Sequence, residues 1–487
     1  MNFKDLSLEE IISKIKSKET TKEDVFKYFL DRIQKYDPKV QSYNFVNENG
    51  LNIETDNESV LAGAPIAVKD IFCEKGIPTT CSSKMLEDFK PPFDAFVINN
   101  LKEAGFSSLG KVTMDEFAMG STNETSAFKK AVNPWGTNRI PGGSSGGSAA
   151  SVAAGLAPAA LGTDTGGSIR QPASMCNLVG FKPSYGRSSR NGIMAMASSL
   201  DCPGTLTKTV KDAALLYEIM NGNDPLENTS LPGKDIVDPK IWEKKDLKGF
   251  KIGVPKEYFE EGLDLGVRKT IEEAIEKLKE LGAEIKEISL PMTKYAIATY
   301  YIIMPAEVST NLSRYDGIRF GYNSDKNYES TDELFINNRT EAFGKEQKRR
   351  IILGSYVLSA GFYDAYYKKA TQVRTLIIKD FEKAFEEVDA IISPVSPSVA
   401  WKIGEKIDDP LKMYLADAYT IPASLAGLPG ISVPAGFAES QDQEKELLPV
   451  GLQILTPRLE EQRLFEIAYA FEQATNYAKQ NPKGFDD

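Results

Sequence analysis

Residues 141–168 read PGGSSGGSAASVAAGLAPAALGTDTGGS, with eight glycines, seven alanines, five serines and one charge, Asp164. Side chains this small let backbone approach a bound group closely, and a hydroxyl in such surroundings is a candidate nucleophile. Thr165-Gly166-Gly167-Ser168 leads into Ile169-Arg170-Gln171-Pro172, where a helix can begin with proline in its first turn. Ser168 would then stand at a helix N-terminus. Backbone N–H groups of Thr165, Gly166, Gly167 and Ser168 would face one point and stabilise negative charge, the construction of an oxyanion hole.

A serine nucleophile needs a base, and the chain contains no histidine. That excludes Ser-His-Asp and Cys-His arrangements and every zinc site with an imidazole ligand. The base must be Lys, Asp, Glu or Tyr, and a lysine serves if burial keeps it neutral. Lys69, at the end of the apolar run Pro65-Ile66-Ala67-Val68, is placed for this. A surface lysine capping a strand explains the same position equally well. Two other readings of 141–168 are weaker. A flexible linker does not suit the helix-forming alanines or the strand-like Ala159-Ala160-Leu161 inside it. Gly142 and Gly147 have the spacing of a phosphate-binding loop, but Ser148-Ala149 stands where Lys-Ser/Thr is required.

The elements that must position these residues alternate in type. Ser7 and Glu10 form a capping box ahead of an apolar stripe, and Thr21 opens a second helix through Val25, Phe26, Phe29, Leu30 and Ile33. Strands are predicted at 64–68, 106–109, 251–254, 388–392, 431–433 and 450–455, and helices at 96–104, 266–281 and 459–474. Such alternation predicts an α/β fold with a largely buried sheet. Residues 220–248 read as a polar surface crossing, and 296–385 as a Tyr- and Arg-rich helical layer. Strand signals on both sides of the crossing favour a single domain over 1–487. It has N-terminal helices within 5–36 and a core of about 60–215 plus 385–475.

The 487 residues carry 58 basic and 69 acidic side chains, a formal charge of −11, and 41% hydrophobic residues. A sizeable core is possible, and direct nucleic-acid binding is not expected of so acidic a chain. Cys73, Cys81, Cys176 and Cys202 form no CxxC pair and read as buried thiols of a reducing compartment. No metal is expected. The charged N-terminus and the lack of a long apolar run point to a cytoplasmic protein with no membrane contact.

Gly142-Gly143-Ser144-Ser145-Gly146-Gly147-Ser148, then Gly162-Thr163-Asp164-Thr165-Gly166-Gly167-Ser168-Ile169-Arg170, with Ala67-Val68-Lys69-Asp70 upstream, resembles the amidase signature family. The resemblance implies a mixed sheet covered by helices on both faces and a Ser-cisSer-Lys triad: Ser168 as acylated nucleophile, Ser144 as bridging serine after a cis peptide, and Lys69 as base. Lys75 to Cys81, Arg314-Tyr315-Asp316-Gly317 and the run from Arg349 to Thr375 resemble one branch of it, the glutaminase subunits of tRNA-dependent amidotransferases.

That branch implies no cofactor in this chain. It implies partners: a B subunit that holds Glu-tRNA(Gln) and uses ATP and Mg, and a small C subunit. Whether Asp-tRNA(Asn) is served as well stays open. The partners are expected on 296–385 or 220–248. For the substrate glutamine, motif position assigns Arg350 to the α-carboxylate, a fork-shaped donor for a fork-shaped anion. It assigns Asp417 to the α-ammonium and adds Tyr301; a structural salt bridge or a packed aromatic would explain each as well. Ile71, Gly136 and Asn177 depart from the family's usual Asn, Asp and Gly. A free-standing amidase shares the triad but not the 349–375 run, and a non-catalytic regulator on the same scaffold is the remaining alternative.

Overall fold

The computed structural model describes residues 2–136, 138–260, 262–406 and 410–486. Among them, one eleven-stranded sheet contains β1 (Tyr43–Val46), β2 (Pro65–Lys69), β3 (Ser107–Val112), β4 (Ala159–Asp164), β5 (Val179–Lys182) and β6 (Cys202–Thr207). It continues with β7 (Lys251–Pro255), β8 (Glu284–Ile288), β9 (Ala390–Pro394), β10 (Gly430–Glu439) and β11 (Leu447–Leu455). The order is β1-β3-β2-β4-β6-β5-β10-β11-β9-β7-β8. β2 runs parallel to β3 and β4, β7 runs parallel to β8 and β9, and the remaining pairs are antiparallel. The sheet is therefore mixed, as the resemblance implies.

The helices are α1 (Leu8–Lys16), α2 (Lys22–Val40), α3 (Phe96–Glu103), α4 (Gly146–Ala153), α5 (Arg170–Met175), α6 (Val210–Met220) and α7 (Leu265–Glu280). After them come α8 (Ala296–Asn311), α9 (Thr331–Ala342), α10 (Lys345–Leu358), a π-helical turn (Asp364–Lys368), α11 (Lys369–Phe385), α12 (Pro410–Leu415), α13 (Ile421–Leu425) and α14 (Glu461–Gln473). Ser7 and Glu10 make the expected capping box on α1, and Thr21 caps α2. The predicted strands and helices are present, with β3 and β10 longer than their apolar runs suggest. β1, β5, β6 and β8 were not expected; β6 carries Pro203 and Gly204, which read as a turn.

Two features of this frame position the chemistry. Every residue of β2 and β4 is buried, and their parallel register pairs Ala67 with Ala160 and Val68 with Leu161. Lys69 therefore arrives beside Gly162 and Thr163 at the same sheet edge. The predicted helical layer is α8 through α11. Rather than lying flat on strands, α8 packs chiefly on α10, α11 and α13, and so covers the turn that follows β4. The crossing at 220–248 is irregular apart from one short turn, Pro239–Glu243. All four cysteines are buried and free. No helix among the described residues is long and apolar enough to cross a membrane.

Candidate active site

Lys69 is fully buried. Its Nζ lies 2.9 Å from Ser144 Oγ, 2.8 Å from Ser145 Oγ and 2.8 Å from Thr163 Oγ1. Burial pulls its pKa from 10.5 down to about 7, against the opposing pull of Asp115, Asp164 and Asp201. None of the three carboxylates pairs with it directly. An ammonium could donate to all three hydroxyls. A neutral amine donates twice and has a lone pair to offer. The Ser145 hydroxyl is within 3.2 Å of the Thr163 carbonyl, the acceptor for its proton, so Ser145 accepts from Lys69. With Thr163 Oγ1 accepting the second N–H, Ser144 is left to give its proton to the lone pair. Geometry thus separates the two adjacent serines, which the sequence alone does not.

Ser144 is fixed from both sides. The Gly143–Ser144 peptide is cis. The Gly143 N–H donates to Gln171 Oε1 (2.9 Å), and the Ser144 carbonyl accepts from the Asp115 N–H (3.2 Å). A Cβ on Gly143 would fall 2.0 Å from Asp115 Oδ2, so only glycine passes here. Asp115 in turn organises the loop after β3 by accepting from the N–H groups of Thr122, Asn123 and Thr125.

Ser168 lies on the turn between β4 and α5. Its carbonyl accepts from the Ser145 N–H (3.2 Å), which ties the turn to the cis peptide. Lys69 and Ser144 are fully buried, whereas Ser168 is half-buried and open to an incoming group. No side-chain bond joins Ser168 to Ser144 among the described residues. The turn is held by Thr165 Oγ1 donating to Asp201 (2.8 Å) and Thr420 Oγ1 donating to the Gly166 carbonyl (2.6 Å). Gly167 has φ +147°, and a Cβ there would meet Thr420 Oγ1 at 2.3 Å.

The N–H groups of Thr165 to Ser168 have no protein acceptor among the described residues. The helix that follows, expected from the sequence to reinforce them, does not. α5 has only six residues, and the N–H groups of Ile169 and Arg170 are directed to Asp164 Oδ2. The N–H groups free to meet an incoming anion are those of the turn alone. Asp164 is held by Arg170 through two bonds of 2.9 Å, both side chains fully buried. Burial alone would raise the Asp164 pKa, but Arg170 outweighs it and holds the carboxyl below its ordinary value.

In the helical layer, α8 and α10 bring Tyr301 and Arg350 to the same turn, and the segment between α12 and α13 brings Asp417. Tyr300 on α8 packs over Gly166, whose added Cβ would lie 2.9 Å from the ring. Tyr301 stacks on Tyr414 at 3.8 Å, and the Arg350 guanidinium sits 5.5 Å from the Tyr301 ring and 5.8 Å from that of Tyr414. Arg350 Nε donates to Glu346 (2.8 Å) and Nη1 to Met304 Sδ (3.5 Å); Nη2 has no protein partner among the described residues. Arg350 is therefore in a salt bridge and still has a donor to offer. Asp417 accepts from Ser121 Oγ through Oδ2, while its Oδ1 is buried without a partner. Burial is the main cause that raises the Asp417 pKa from 3.8 to about 7. An unpaired guanidinium N–H and an unpaired carboxylate oxygen suit the two ends of an amino acid.

Ser145, Thr163, Tyr300, Ser121, Glu346 and Thr420 all serve this site and were not singled out in the sequence. Only Ser145 and Thr163 had a signal, their places in the Ser-Ser pair and in the Gly162–Arg170 motif. Two departures from the family pattern have structural accounts. Asn177 has φ +59°, a conformation asparagine tolerates, and its side chain donates to the Tyr477 (2.9 Å) and Gln480 (3.3 Å) carbonyls. Beside Gly136, Arg139 draws carboxylates from Asp442, Glu444 and Glu446. Ile71 is buried in the apolar core. No group of three or more Cys, Asp or Glu side chains among the described residues is placed to hold a metal ion.

The chain is similar to known proteins over nearly its whole length. The A subunit of glutamyl-tRNA(Gln) amidotransferase from Carboxydothermus hydrogenoformans is 52% identical over 98% of this chain and 99% of its own length. Its counterpart from Thermoanaerobacter pseudethanolicus is 50% identical over 98% of each. The crystal structure of the Thermotoga maritima counterpart superposes with a TM-score of 0.83 at 42% identity, covering 99% of this chain and 98% of that one. The family model described as Amidase matches residues 24–465, and the chain belongs to the amidase family.

Proposed function

We propose that the chain is the glutamine-hydrolysing subunit of a tRNA-dependent amidotransferase. One observation carries the reading: a carboxylate-free Lys69–Ser144 pair and the Ser168 turn stand beside an Arg350 N–H and an Asp417 oxygen that lack protein partners among the described residues. The relatives are subunits of such enzymes by name, and their similarity spans nearly the whole chain.

Glutamine binds with its α-carboxylate on Arg350, its α-ammonium on Asp417 and its stem along Tyr301. Neutral Lys69 takes the proton of Ser144, Ser144 takes that of Ser168, and Ser168 Oγ attacks the side-chain amide carbon. The developing oxyanion is met by the N–H groups of Thr165 to Ser168, donors fixed in place before the reaction begins. The proton returns along the same path to the leaving nitrogen. The C–N bond breaks, ammonia departs, and a glutamyl ester remains on Ser168. Water, deprotonated through Ser144 and Lys69, cleaves that ester.

Ammonia passes to a B subunit that carries Glu-tRNA(Gln) and activates it with ATP and Mg, with a small C subunit holding the pair. Both are soluble partners in the cytoplasm. Steady-state glutamine hydrolysis by the purified chain, with and without these subunits, tests the reading. The rate is weak alone and increases with the partner, and further with Glu-tRNA(Gln) and ATP. A coupling of this kind is typically worth ~1–3 kcal/mol. Full-rate cleavage of plain acyl amides, indifferent to partner and tRNA, would make the chain a free-standing amidase.

A further inference from the structure

Helix α10 has two faces with different tasks. Its inner face buries Glu346, Gln347, Arg350, Gly354 and Val357. Contact with α8 is close: a Cβ on Gly354 would fall 1.9 Å from the Pro305 carbonyl oxygen. Its outer face exposes Ile352 (68%), Leu353 and Tyr356 (45%). The segment that leads into the π turn adds exposed Phe362 and Tyr363, the turn itself adds Tyr366, and α11 adds Leu376. Tyr356 lies 4.3 Å from Phe362, and Phe362 lies 6.0 Å from Tyr366. Exposed apolar side chains are ordinary singly, but a contiguous patch marks an interaction site, and π turns recur at functional sites. The 220–248 crossing, by contrast, exposes only Leu226 and Ile236 among its large hydrophobics.

The patch also differs in charge from the rest of the molecule. Its exposed charged side chains are Lys345, Arg349, Lys368, Lys369 and Lys379 against Asp364 alone, in a chain of net charge −11. One basic residue links the two faces of α10. Arg349, with its side chain 43% exposed, donates to the same Glu346 that holds Arg350, and Glu346 also accepts from Tyr414 (2.8 Å).

We propose that the outer face of α10 with the π turn and α11 is the docking surface for the tRNA-carrying protein subunit. Docking acts on the glutamine site through Arg349, Glu346 and Arg350. The inference rests on the amidotransferase reading. Its occupant is a protein face with an aliphatic centre and a carboxylate rim, the complement of this basic border. A partner carboxylate that draws Arg349 outward leaves Glu346 to Arg350 and Tyr414 alone and sets the guanidinium for substrate. RNA is the poorer occupant: the aliphatic Ile352, Leu353 and Leu376 offer it nothing, and the rings pack tilted against one another instead of standing open.

The test uses the full complex, with the chain co-expressed with its B and C subunits. Ile352→Asp with Tyr356→Asp should weaken assembly about 30-fold or more, with circular dichroism and glutamine hydrolysis by the isolated chain unchanged; Leu226→Asp should assemble normally. If the double variant misfolds, Leu353→Ser with Tyr366→Ala takes its place. Arg349→Ala should still assemble but lose the partner-induced fall in KM for glutamine, with kcat little affected. A folded patch variant that assembles like wild type overturns the docking surface, and an Arg349→Ala complex with the full KM change overturns the coupling. Tight tRNA binding by the isolated wild-type chain, lost in the patch variants while the complex still assembles, assigns the patch to RNA instead. A wild-type chain that binds no partner overturns the amidotransferase reading itself.

Discussion

Lys69 and Arg350 are both buried cations by residue type, yet the molecule treats them oppositely. Lys69 meets only hydroxyls and a carbonyl, and burial brings its pKa down to about 7. Arg350 meets Glu346 and the faces of two tyrosines; burial works against its charge, but the Glu346 carboxylate outweighs it and pushes the guanidinium further up. A buried lysine denied a direct counter-ion becomes a base at neutral pH, whereas a buried arginine given one becomes a permanent anchor. On the proposed reading, the strand-end centre transfers protons and the helical layer above it holds charge.

Turning the first cation into the second kind gives the largest effect. Lys69→Arg keeps charge but cannot deprotonate, so it should lose as much kcat as Lys69→Ala, about 10²–10⁴-fold. Combining Lys69→Ala with Ser144→Ala should add little to either alone, because the groups act as a unit. Substantial turnover by Lys69→Arg would assign the base elsewhere.

Removing the anchor is milder. Arg350→Ala should raise KM for glutamine about 10–100-fold, the worth of a hydrogen bond to a charged group, with a smaller change in kcat. Glu346→Gln should shift KM the same way by less. Equal KM values in wild type and Arg350→Ala would move the substrate's α-carboxylate to another donor.

The two centres also differ in how they respond to pH. Lys69 must be neutral, so kcat rises as pH climbs through about 7 and then levels. Asp417, raised to about 7 in the free protein, must be ionised to hold an ammonium, so KM falls over the same range. In Asp417→Asn the KM should lose this slope and the kcat should keep its own. Parallel loss of both slopes would mean that one group controls both.

The smallest effect concerns stability. The folded-state pKa of Lys69 lies below its unfolded value of about 10.5. The unfolded chain thus binds more protons between pH 7 and 10.5, and wild type gains stability across that window. Relative to Lys69→Met, wild type should gain as pH rises toward 10.5 and lose the gain as pH falls to about 7, read as melting temperatures a few degrees apart. A gap that does not change with pH would mean that Lys69 is not desolvated.

The strand-end centre was the legible half of the site. Lys69, Ser144 and Ser168 lie in contiguous, compositionally odd segments, and the lack of histidine narrowed the base to few types. The resemblance then assigned roles that residue types left open. The substrate end of the site was less legible: Arg350, Asp417 and Tyr301 were named only through the resemblance, and Tyr300, Glu346 and Tyr414 converge from separate segments with no shared spacing. Ser121 and Thr420 were invisible because a lone hydroxyl carries no pattern until the fold supplies its partner. In the sheet, β2 and β4 announced themselves as apolar runs, whereas β6 was masked by Pro203-Gly204.

Everything in this mechanism turns on Ser168 as the acylated residue. Rapid quenching of the complex during glutamine turnover, followed by peptide mass spectrometry with and without hydroxylamine, addresses it directly. A hydroxylamine-sensitive glutamyl ester should appear on the peptide containing Ser168, and neither ester nor turnover should remain in Ser168→Ala. An ester carried by Ser144 or Ser145, or full turnover in Ser168→Ala, would contradict it.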